Sequence, residues 1–77
     1  MNTDYDIATL KDKIATIAYQ LSAITKAINA LVALHIVYEE TKADYETIIL
    51  PNAEHIDRLR KQEAELFSKR TSLQANL

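Results

Sequence analysis

The chain has 77 residues, 48% of them hydrophobic and 26% charged, with nine basic and eleven acidic residues for a net charge of −2. A chain this short buries only roughly 60% of its unfolded surface; with no cysteine, and only His35 and His55 as histidines, it has no disulfide or thiolate metal site to add stability, which leaves self-association. The absence of glycine excludes phosphate-cradling loops, dinucleotide fingerprints and nucleophile elbows, and no basic excess draws the chain to nucleic acid or an anionic membrane.

The N-terminus, Met-Asn-Thr-Asp-Tyr-Asp, is acidic and lacks the basic segment and apolar run of a secretory signal, so a cytoplasmic address is expected. Thr3 or Asp4 can cap a helix, and Asp6 favours the positive end of its dipole. From there apolar residues recur at alternating spacings of three and four: Ile7, Leu10, Ile14, Ile17, Leu21, Ile24, Ile28 and Leu31, continued by His35, Tyr38, Lys42, Tyr45 and Ile49. This is a heptad stripe, and with no Gly or Pro before Pro51 it predicts one helix over about residues 4–50, about 68 Å long. Between Ile14 and Tyr38 the only formal charge is Lys26; it and His35 limit the runs free of charge and histidine to Ile14–Thr25 and Ala27–Leu34. Both fall short of the roughly 20 apolar residues a bilayer requires, and no membrane span is expected.

Pro51 cannot donate a backbone hydrogen bond, and its ring clashes with the carbonyl of Thr47 in an uninterrupted helix. Asn52 can cap a new helix, and the stripe Ile56, Leu59, Leu66, Leu73 and Leu77 predicts that second helix over about 53–76. A turn at 51–52 makes the helices antiparallel neighbours: one all-α domain over 1–77, a helical hairpin turning at Pro51. Two other arrangements fit the pattern less simply. One is a kinked continuous helix in a parallel coiled coil, since the heptad frame from Ile7 reaches Ile49 and then Ile56; the other is a three-helix monomer broken near Ser22.

A hairpin turning at Pro51 has unequal arms. The second helix would cover about 29–50 and leave the N-terminal part of the stripe without an intrachain partner, so Ile7, Leu10, Ile14, Ile17, Leu21, Ile24, Ile28, Leu31 and Leu34 are the expected interface, with a homodimer as the simplest assembly. The segment from Ala30 to Tyr38 is apolar on every side of the helix, as when a helix touches neighbours on more than one face, and a four-helix layer around 28–38 answers to both features.

The candidate chemistry is sparse. His35 and Glu39 are one turn apart, but a metal would need a third ligand, and neither metal nor cofactor is expected. A turn at Pro51 would bring Tyr38, Lys42 and Tyr45 towards Glu63, Arg60 and Asp57, with Lys42 pairing Glu63. The alternative use of that region is a small anionic-ligand site near His35, Tyr38, Lys42 and Arg60. The positive charges of the second helix are interleaved with Glu54, Asp57, Glu63 and Glu65, the pattern of a solvated face, and no nucleic-acid partner is expected. No nucleophile, metal cluster or paired acid and base is visible, and the first helix lacks the arginine that all-helical chorismate mutases place there. In shape, a small acidic hairpin with an apolar arm resembles secretion-system chaperones and phage-encoded inhibitors, which implies a non-catalytic protein that binds a protein partner.

Overall fold

A computed structural model describes the backbone from Asp4 to Leu77 and the side chains from Asp6 onward. The capping side chains expected at Thr3 or Asp4 lie outside the described residues. Helix α1 spans Asp4–Glu40 and helix α2 spans Leu50–Gln74, preceded by a π-helical turn at Tyr45–Ile49. The helices pack antiparallel into a rod of 59 × 14 × 14 Å, so the chain is an all-α hairpin.

The turn is not at Pro51. Helix α1 stops about ten residues earlier, at Glu40, and the chain reverses through Thr41–Asp44. Lys42 takes a left-handed conformation, φ 54°. Its N–H donates to the Glu39 carbonyl at 3.1 Å, and the Ala43 N–H donates to the Tyr38 carbonyl at 2.9 Å. This pair of bonds is a Schellman motif, which satisfies carbonyls that a helix end leaves open. The Thr41 hydroxyl adds a bond to the Val37 carbonyl at 2.8 Å. A residue with a Cβ pays about 1–2 kcal/mol in this conformation, a cost glycine avoids and this glycine-free chain accepts.

Two residues later the next helical segment is capped. Asp44 has φ −60° and ψ 127°, outside the helical region, and its carboxylate accepts from the Thr47 N–H at 2.9 Å and the Thr47 hydroxyl at 2.7 Å. From there the backbone is helical through to Gln74 and passes straight over Pro51. The proline is absorbed by the π turn before it: the Ile49 N–H donates to Asp44 and the Leu50 N–H to Tyr45, each five residues back. A wider turn relieves the clash between the proline ring and the Thr47 carbonyl, and Pro51 falls near the start of α2, where its missing donor matters least.

Moving the turn re-registers the hairpin. Thr25 lies opposite Glu63 and His35 opposite Asn52, both centred on Ala43 and Asp44. The arms are therefore nearly equal, and α2 lies along the part of α1 expected to project alone. Ile17, Leu21, Ile28 and Ile56 are buried, with Ile14, Ile24, Leu31, Leu59, Leu66 and Leu73 half-buried around them.

The turn can be tested at two residues. Lys42→Gly should raise stability by about 0.5–1 kcal/mol in chemical unfolding, and Lys42→Val should lower it, since a β-branched residue fits the left-handed region worst. The hydrogen bonds from Thr47 hold the Asp44 carboxyl below its ordinary value. Its folded pKa is thus the depressed one, so its contribution is complete above the ordinary aspartate value near 3.9 and is lost as pH falls through the lower folded value. Asp44→Asn should flatten the part of the acid-side decline in Tm that falls below about pH 4.

Candidate functional site

The polar centre of the hairpin is built on Asn52, which is buried at 9% exposure one residue after the proline. Its side-chain amide donates to the Leu31 carbonyl at 3.1 Å, and the same nitrogen lies 3.3 Å from Nδ1 of His35. On the far side of the ring, Nε2 is 2.8 Å from a carboxylate oxygen of Glu39. An amide nitrogen can only donate, so Nδ1 accepts and Nε2 carries the hydrogen that goes to Glu39; the network assigns the tautomer. Both ring nitrogens are thereby engaged, and metal ligation or proton transfer by His35 would first break one of these bonds. The network works structurally: a buried amide with its partners in fixed places holds one alignment of α2 on α1. Further down the interface the Thr25 hydroxyl donates to a Glu63 carboxylate oxygen at 2.7 Å and reinforces the same register.

The four residues considered for a ligand site are not brought together. His35 and Arg60 line one cavity of about 260 Å³ between the helices, with Val32, Ile36, Ala53, Ile56 and Asp57. Tyr38 is half-buried near the end of α1, and Lys42 is in the turn, about four helical turns from Arg60. Lys42 left the seam because α1 ends before reaching it, and Glu63, its expected partner, bonds Thr25 instead. Asp57 beside Arg60 supplies a negative charge where an anion would sit.

The expected interface residues divide as well. Ile17, Leu21 and Ile28 are buried and Ile7, Leu10, Ile14, Ile24 and Leu31 half-buried, while Leu34 is 40% exposed. From Ile17 to Leu31 this seam faces α2 of its own chain. The uncovered apolar surface is the other side of α1, where Ala23, Ala27, Ala30, Leu34 and Val37 are all exposed. A second set of three-and-four spacings, Thr16, Gln20, Ala23, Ala27, Ala30, Leu34, Val37 and Thr41, runs along it. That regularity was available in the sequence, masked by the bulkier isoleucine stripe beside it. Within Asp6–Glu40 a window of α1 has mean hydropathy 1.5 and is long and apolar enough to cross a membrane by length and composition, although only 11% of it is buried. The sequence expectation rested on unbroken apolar runs, whereas this criterion averages over a window, which the core helix of a hairpin also passes. Arg58, Arg60, Lys61, Lys69 and Arg70 of α2 lie alongside this helix.

At the open end, the guanidinium of Arg70 lies 4.9 Å over the ring of Phe67, and its buried Nε has no hydrogen-bond partner. No family model, no curated protein and no solved structure matches the chain.

Asn52 yields a test of the register. Asn52→Ala should cost about 1–3 kcal/mol, from lost hydrogen bonds and a small cavity. Asn52→Leu, close in volume, should keep or raise Tm while broadening the distance distribution between spin labels at Lys13 and Lys69, because the alignment is then held by apolar contacts that tolerate sliding.

Proposed function

We propose that the chain is a non-catalytic helical-hairpin protein that self-associates and acts by binding another protein through the outer face of α1. The observation that carries this reading is the contrast within α1: a helix apolar enough to pass for a membrane span, of which one side alone is covered by α2. On that outer face Leu34 and Val37 are 40% and 49% exposed, near the turn. Apolar area of this kind on a small chain is stabilised by removal from water, and a chain with four buried aliphatic residues among those described gains from a partner more than a larger domain does. The network around His35 supports a structural role for the polar residues most open to a catalytic interpretation.

The reading is tested by affinity capture from the source cells with the tagged chain and with a Leu34→Glu/Val37→Glu variant. Both substitutions are at exposed positions, so helicity by circular dichroism should be unchanged. A defined protein recovered in stoichiometric amount by the parent chain and lost with the variant is the expected result; equal recovery by both, or none by either, contradicts it.

A further inference from the structure

We propose that the outer face of α1 is the seat of a second copy of the chain, packed antiparallel about a twofold axis that passes between Ala27 and Ala30. The inference rests on the reading of this face as a protein-binding surface and names its first occupant.

Three observations select that occupant. The first is self-complementarity. With the axis between residues 27 and 30, every position of the exposed three-and-four set meets another member of the set: Ala27 meets Ala30 of the partner subunit, Ala23 meets the partner's Leu34, and Gln20 meets the partner's Val37. Small residues at the axis allow close approach, and Leu34 falls opposite the partner's Ala23 on both sides of it, as an isologous contact requires. Beside Ala23 the hairpin already has a groove of about 520 Å³, walled on the α2 side by Leu66, into which a leucine can lower its side chain.

The second is charge. The closed end of the hairpin holds five carboxylates, Glu39, Glu40, Asp44, Glu46 and Glu54, against Lys42. The open end is balanced, with Lys11, Lys13, Lys69 and Arg70 against Asp4, Asp6, Asp12 and Glu65. The antiparallel arrangement brings Lys13 close to the level of Asp44 of the partner subunit, whereas a parallel pair sets five carboxylates beside five. The third is size. From Thr16 to Thr41 the face is about 38 Å long, and one helix diameter of width makes about 400 Å². The groove beside Ala23 is also walled by Gln62, Leu66 and Lys69, so the second copy would need to extend onto this side of α2 to reach the roughly 800 Å² per partner of a standard stable interface.

The test uses the purified full-length chain. Light scattering at micromolar concentration should return twice the chain mass. A spin label at Ala15→Cys, an exposed position off the proposed contact, should show one distance of about 40 Å between copies. Leu34→Glu, and separately Ala27→Glu, should halve the mass with helicity intact; Ile36→Glu, also at an exposed position but on the opposite side of α1, should leave the mass unchanged. A monomeric parent chain, a label distance below about 25 Å, or equal effects of Leu34→Glu and Ile36→Glu would overturn the proposal. So would a parent chain that sediments with phosphatidylcholine vesicles and is monomeric without them, which would assign the face to lipid. These readouts use the chain alone, so a failed dimer with intact partner capture removes this inference and the self-association but leaves the protein-binding reading of the face standing, and a dimer without partner capture removes that reading.

Discussion

The hairpin depends on one backbone residue: Lys42 in the left-handed region, in a chain with no glycine to offer there. Its conformation lets the Ala43 N–H reach back to Tyr38 and ends α1, and the Asp44 carboxylate two residues on starts the next helical segment. Stop and start lie within three residues, so the chain reverses in little space and the arms come out nearly equal. Everything downstream is a matter of register: which residue of α2 lies opposite His35, whether Ile17 and Leu21 are covered, and which side of α1 remains in water.

The register is then held by polar groups. Asn52 bridges Leu31 and His35, and Thr25 bonds Glu63, at two levels along the rod. Apolar seams of Ile and Leu tolerate sliding by a heptad at modest cost, whereas an amide displaced from its partners is left unsatisfied in a dry place. Two helices cover each other along one stripe only, so specificity within the hairpin coexists with an open apolar flank. The same α1 is thus half of a well-aligned pair and an unfinished surface.

The all-helical class, two antiparallel helices and the isoleucine seam are legible in the sequence, because spacings of three and four over so many residues have no other regular solution. The position of the turn is not legible by the same means. Pro51 is the strongest local breaker in the chain, but a π turn one residue upstream of α2 lets the helix carry it, and that accommodation has no residue signature. Lys42 is no more suited to the left-handed region than most residues; the available signal was Asp44 followed three residues later by Thr47, a capping pattern outweighed by the proline. The overhanging arm and the pairing of Lys42 with Glu63 depended on the displaced turn and fall with it. The apolar character of Ala30–Tyr38 on all sides was visible, and the structure shows Leu34, Ile36 and Val37 exposed.

The central claim is that the chain reverses at Thr41–Asp44 and continues over the proline. The most direct measurement is the distance between spin labels at Lys13 and Lys69, exposed residues that border one groove, in chains diluted with unlabelled protein so that a single copy is read. The structure predicts a separation within about 15 Å, the scale of two packed helices. A turn at Pro51 would slide the pair apart by about 30 Å along the axis, and a continuous helix would separate them by about 84 Å; either distance would contradict the account.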